Sequence, residues 1–142
     1  MGNRRIAREI IIKNLYANEI SGCDDSNSES LVSEELGRLD EKSRSFILDI
    51  CRGIIGKKDE IDSIIVRYAD NWDLNRIAVL DKNILRLAIY EMLFVEDIPP
   101  VVSINEAIDI AKKFSTRDSG KFVNGILDKI HKELIINKDK NG

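Results

Sequence analysis

The sequence predicts an all-α fold, and three observations predict it. Apolar residues recur at i, i+3 and i+4 along most of the chain, which is the spacing of a one-sided helix. The only two prolines, Pro99 and Pro100, are adjacent, so nearly the whole chain is free to be helical. No segment carries the strict apolar/polar alternation of a half-buried strand.

A first helix is predicted from about Asn3, as its cap, to Ile20, with Ser21-Gly22 as its stop. Ala7, Ile10, Ile11 and Leu15 form its core stripe, and Arg5, Arg8, Ile12 and Tyr16 a neighbouring one. Residues 22–30 are polar and turn-forming and read as a loop. A short amphipathic helix around Leu31–Leu39 follows. Asp40 then caps a helix over Glu41–Gly56, with Phe46, Ile47, Ile50, Ile54 and Ile55 inward. The next helix runs from Lys58 to about Asp70, with Ile61, Ile64, Ile65 and Tyr68 inward. Asn71–Asn75 breaks the pattern as a loop that closes on the core through Trp72.

The stretch Arg76–Val95 is the most apolar of the chain, and between Ile84 and Val95 only Arg86 and Glu91 are charged. A helix apolar nearly all round is a central one. It stops before Pro99-Pro100. A helix over Ser103–Phe114 places Ile104, Ala107, Ile108 and Ala111 on one face. The last helix covers about Ser119–Ile136, with Phe122, Val123, Ile126, Leu127 and Ile130 inward. Asn124-Gly125 is a hairpin dipeptide, but it sits inside a helical pattern with no alternating flanks. Gly125 is therefore read as a close-approach point within a helix. The 142 residues fit one domain, residues 1–136, with a frayed tail at 137–142.

The composition is that of a water-soluble domain, 43% hydrophobic and 33% charged. No run is long and apolar enough to cross a bilayer, and no secretion signal opens the chain. The expected location is the cytoplasm, where Cys23 and Cys51 stay reduced. These two cysteines are far apart and have only His131 to help, which argues against zinc. No cofactor is expected.

A net charge of -3 does not suggest a nucleic-acid protein, but the charges lie in blocks. In residues 1–16, Arg4, Arg5, Arg8 and Lys13 stand against Glu9, leaving +3. In residues 21–41, seven acids stand against Arg38, leaving -6. In residues 112–132, Lys112, Lys113, Arg117, Lys121, Lys129 and Lys132 stand against Asp118 and Asp128, leaving +4. If the chain folds back on itself, the two basic stretches form one patch.

Enzyme chemistry finds no support in the motifs. Gly53-Ile54-Ile55-Gly56-Lys57-Lys58 lacks the spacing of a phosphate loop. His131 has no nucleophile patterned around it and reads as a surface residue. A binding surface would rest on arginine guanidinium groups, which match phosphate, and on an aromatic ring on the same stripe, which gives a base something to stack on. Arg4, Arg5, Arg8 and Tyr16 fit that description. On composition alone an ordinary charged helix face fits them better, by about two to one, since such faces are common. Arg86 is better read as half of a buried ion pair than as a ligand-binding group. Asp81 is a favourable first-turn acid or a partner contact, and helix electrostatics favour the first.

A resemblance adds to this reading. Ile104-Asn105-Glu106-Ala107-Ile108, Ala111-Lys112-Lys113-Phe114 and the run from Asp118 to Asp128 closely resemble the NusB family. Ile84-Leu85-Arg86-Leu87-Ala88-Ile89-Tyr90-Glu91 resembles its central helix, and Arg4-Arg5-x-Ala7-Arg8 with Leu15-Tyr16 its arginine-rich start. The resemblance implies about seven helices in two packed bundles. It also implies a transcription antitermination factor that binds boxA RNA of nascent ribosomal RNA transcripts. The implied partner is NusE, a small-subunit ribosomal protein, and the pair joins an antitermination complex on RNA polymerase. Carried onto this chain, Arg4, Arg5, Arg8, Tyr16, Asp118, Lys121 and Phe122 would form the RNA surface, and Asp81 would face NusE.

Two other readings stay open. Certain RNA cytosine methyltransferases resemble this family at their N-termini, but they need a cofactor-binding domain of which no strand–glycine loop–helix signal appears. Some relatives form homodimers, so a self-associating helical protein without RNA is the third reading.

Overall fold

A computed structural model describes residues 2–21, 37–69 and 73–136. Among them are six α-helices and no strand: α1 (Gly2–Ser21), α2 (Glu41–Gly56), α3 (Lys58–Tyr68), α4 (Val79–Phe94), α5 (Pro100–Phe114) and α6 (Arg117–Ile130). A 3-10 turn at Leu74–Arg76 precedes α4, and a π-helical turn at His131–Ile136 follows α6. Most of the expected helix around Leu31–Leu39 lies outside the described residues, as do Cys23, Trp72 and the tail 137–142. The helices fall into two compact units, Met1–Lys58 and Asp59–Gly142.

In the first unit α1 packs on α2. Ala7, Ile10, Ile11 and Leu15 are buried as their spacing requires, and so is Ile12, expected on the neighbouring stripe. Asn3 lies inside the helix rather than before it. From α2 come Ile47, Ile50, Cys51 and Ile54, whereas Phe46 and Ile55 are half-buried. Asp40 caps this helix as expected: the Ser43 backbone N–H donates to its Oδ1 at 3.0 Å. Hydrogen bonds from the Ser43 side chain and backbone hold the Asp40 carboxyl below its ordinary range. Asn14 donates to the buried Cys51 sulfur at 3.7 Å. Burial pushes that thiol up to about 11, against the opposing Asn14 bond. A thiol so placed stays protonated near neutral pH and is unreactive.

In the second unit α4 is buried along most of its length, including Ile84, Leu85, Leu87, Ala88 and Ile89. It begins at Val79, three residues after the expected Arg76. The residue between turn and helix, Ile77, is extended and buried, and this draws the chain into the core before the helix starts. Arg86 forms the expected buried ion pair. Its Nε and Nη2 donate to the two Asp62 oxygens on α3 at 2.7 and 2.9 Å, and Nη1 donates to Asn83 Oδ1 at 2.9 Å. This bidentate geometry satisfies a guanidinium removed from water.

Helix α5 starts three residues earlier than expected, because Pro100 occupies its first position. Proline is favoured there: its missing N–H would have had no intrahelical partner, and its φ is already helical. Ile104, Ala107 and Ala111 are buried, Ile108 is half-buried, and Ile110 joins the core. Helix α6 buries Val123, Ile126, Leu127 and Ile130. It starts at Arg117, two residues before the expected Ser119, and ends at Ile130, beyond which the backbone widens to π geometry. Asn124-Gly125 is helical, as the pattern requires. Gly125 is not a close-approach point, however: a Cβ there would meet nothing within 4 Å, since the residue faces outward.

Two outcomes follow for stability. Gly125→Ala should stabilise the protein by roughly 0.5–1 kcal/mol, because an exposed helical glycine carries only the propensity cost; urea denaturation showing a loss would contradict this. Asp62→Asn should cost about 3–5 kcal/mol, because it leaves Arg86 buried without a countercharge. A change below ~1 kcal/mol in the same measurement would mean that the pair is solvated.

Candidate nucleic-acid interface

The expected RNA-contacting residues fall on both units, and each group has its own geometry. On α1 the residues Arg4, Arg5, Arg8 and Tyr16 do not form one uniform solvated stripe. Arg4 is exposed, and its guanidinium carbon lies 3.9 Å from the centroid of the Phe46 ring on α2. Such a cation–π contact restrains a long side chain while leaving its donors available. Arg5 is half-buried, and Arg8 is only 4% exposed. Tyr16 is 42% exposed, so its ring is open to a stacking partner. The face of α1 that is open to solvent runs through Ile6, Lys13, Tyr16 and Ile20. The sequence reading did not single out this face, since Ile6 and Ile20 look like core residues by type. Their spacing of seven, three and four residues with Lys13 and Tyr16 is the signal that could have found it.

On the second unit Asp118, Lys121 and Phe122 lie at i, i+3 and i+4 of α6 and share one helix face. Asp118 and Lys121 are exposed, and Phe122 is half-buried. Thr116, not Asp118, caps the helix: the Ser119 backbone N–H donates to Thr116 Oγ1 at 3.0 Å. Asp118 is thereby left as an uncommitted first-turn acid on the face that carries Lys121. Arg117, Lys112 and Lys113 are also exposed around this end of α6.

Asp81, expected to face a partner, is only 7% exposed. It sits in the first turn of α4, where helix electrostatics favour an acid. Its Oδ2 accepts from Ser119 Oγ at 3.1 Å, and Ser119 Oγ also lies 2.8 Å from Ser115 Oγ. Its Oδ1 has no hydrogen-bond partner among the described residues. Burial pushes this carboxyl above its ordinary range, and the Ser119 bond opposes the shift. The geometry therefore places Asp81 as a link between the first turns of α4 and α6 rather than as an open contact residue.

No cluster of three or more His, Cys, Asp or Glu with metal-binding geometry occurs among the described residues. No described helix is long and apolar enough to cross a membrane. The exposed arginine and lysine groups, the exposed Tyr16 ring and the half-buried Phe122 ring are of the types that recognition of an unstacked RNA strand uses.

The NusB family model matches residues 5–132 of this chain. The transcription antitermination protein NusB of Desulforapulum autotrophicum is 45% identical over 131 residues, covering 92% of each chain. A solved NusB structure from T. maritima is 46% identical, covering 92% of this chain and 91% of that one, with a TM-score of 0.84. A crystal structure of the antitermination factors NusB and NusE in complex with dsRNA contains a chain 27% identical to this one. It covers 93% of this chain and 98% of that one, with a TM-score of 0.82. With a family model spanning most of its length and relatives this similar from end to end, the chain belongs to the NusB family.

Proposed function

We propose that this chain is a transcription antitermination factor that acts by binding, not by catalysis. It binds boxA RNA of nascent ribosomal RNA transcripts in the cytoplasm as a heterodimer with NusE. The pair then joins the complex that keeps RNA polymerase from terminating. The observation that carries this reading is the likeness to the chain solved together with NusE and dsRNA, which extends over 93% of this protein. That the chain covers 92% of an antitermination relative favours this reading over the N-terminal domain of a methyltransferase.

RNA is contacted by Arg4, Arg5, Arg8 and Tyr16 on α1 of the first unit and by Asp118, Lys121 and Phe122 on α6 of the second, all within residues 1–136. Arg4 and Lys121 supply phosphate contacts, while Tyr16 and Phe122 supply stacking faces. Asp118 opposes phosphate and accepts a base donor. Asp81 serves the NusE side by holding the first turns of α4 and α6 in register through Ser119.

A net charge of -3 provides little long-range attraction to RNA, so a basic ribosomal partner should add the missing phosphate contacts. Fluorescence titration of boxA RNA should show weak binding by this chain alone and binding at least tenfold tighter with NusE. Arg5→Ala and Lys121→Ala should each weaken the complex and flatten its salt dependence by about 0.7 in log–log slope, the value for one phosphate on a single strand. Asp118→Asn should leave affinity equal or higher. Equal affinity with and without NusE would refute the cooperative reading. Neutral Arg5→Ala and Lys121→Ala would refute the surface.

A further inference from the structure

We propose that Lys112 is an additional RNA-backbone contact on this surface, aimed by Gly120 beneath it. The inference rests on the RNA reading above and adds a residue pair to it. Six cations lie between residues 112 and 132, and by sequence they are interchangeable. The structure separates them. Lys113 directs its Nζ to within 5.1 Å of the Phe114 ring centroid. Lys132 pairs with Asp128 at 3.0 Å. Lys112 has neither commitment: among the described residues no carboxylate pairs with it.

Its stem, however, is held. Gly120 is a buried residue near the start of α6. A Cβ placed on it would lie 2.9 Å from Lys112 Cγ, 3.2 Å from Cε and 3.6 Å from Cδ. The lysine stem therefore runs from α5 across the bare backbone of α6. Only glycine leaves room for it. Exposed lysine stems ordinarily sample many rotamers, and that freedom is lost when one is fixed on binding. Here packing has already restricted the stem, while the ammonium end remains in solvent. The stem thus crosses the turn of α6 that also contains Asp118 and Lys121.

A compact, hydrated ammonium on a restrained stem suits a phosphodiester oxygen better than a base edge, since it offers charge without a planar donor fork. Lys112 thus contributes affinity and salt dependence, not sequence choice. Gly120 is a positioning residue that acts only through Lys112. A methyl group there would press on the Lys112 stem from Cγ outward, so the stem must shift.

The test is a double-mutant cycle read by boxA RNA titration in the presence of NusE, at two salt concentrations, on variants whose circular dichroism melts confirm folding. Lys112→Met keeps a stem of similar length and removes the charge. It should weaken binding about fivefold at 0.1 M salt and lower the log–log slope by about 0.7. Gly120→Ala should weaken binding in the parental protein and leave it unchanged in the Lys112→Met background. Lys58→Gln, the same charge loss on another helix, should have a smaller effect on the slope. Unchanged affinity and slope in Lys112→Met would overturn the proposal. So would equal losses from Gly120→Ala in both backgrounds, or a Lys58→Gln effect as large as that of Lys112→Met. Lys121→Ala and Arg5→Ala distinguish the two levels. If both weaken binding while Lys112→Met does not, only this inference fails. If both are also neutral, the RNA surface itself is wrong, and this inference falls with it.

Discussion

Polar side chains buried on α4 organise the unit that contains it. A charged or hydroxyl group removed from water costs free energy unless a partner satisfies it, so each one specifies which helix must lie alongside. Arg86 requires Asp62 of α3, Glu91 accepts from Ser103 of α5 at 2.9 Å, and Asp81 accepts from Ser119 of α6. One central helix is thus tied to three neighbours through three separate polar links set among apolar contacts. Apolar packing alone would tolerate small rotations of these helices, whereas a bidentate arginine pair does not. Loss of one partner leaves the other buried and unpaired, so these links are worth more as constraints on geometry than as net stability.

The last of these links bears on function. Ser119 lies one residue after Asp118 and two before Lys121, and its own backbone N–H is capped by Thr116. The turn that presents the proposed RNA-contacting side chains is therefore held from below by α4 and at its start by Thr116. Gly120 completes the arrangement by letting the α5 lysine stem cross the same turn. Four successive residues, 118 to 121, have four different tasks: an exposed carboxylate, a buried hydroxyl link, a backbone clearance and an exposed cation. A preorganised turn of this kind loses little entropy on binding, which favours recognition of a flexible single strand.

The other unit uses different devices. Asp40 starts α2, Asn14 meets the Cys51 sulfur, and Phe46 supports the Arg4 guanidinium. Here the apolar stripe of α1 widens to include Ile12, and Arg8 is buried with it. The outward face instead passes through Ile6, Lys13, Tyr16 and Ile20, a mixture of apolar, basic and aromatic groups suited to contact with another macromolecule.

Much was legible in the sequence because it depends on local rules. Helical periodicity, the absence of alternation and the Asp40 cap act within a few residues, so the all-α class, the central α4 helix and the Glu41–Gly56 bounds could be read directly. The Arg86 ion pair was legible in kind, because a charge in an apolar helix needs a countercharge, but not in partner. Asp62 lies 24 residues away, and only packing brings it there. The start of α5 was misplaced because proline ends one helix and opens another by the same chemistry, and sequence alone did not decide between the two roles. Gly125 and Gly120 show the remaining limit. Both are helical glycines in one short segment; the sequence drew attention to the first, yet the second is the one with a side chain laid across it. Clearance above a glycine belongs to the neighbouring helix, and which of several lysines uses it is decided only when α5 and α6 pack together.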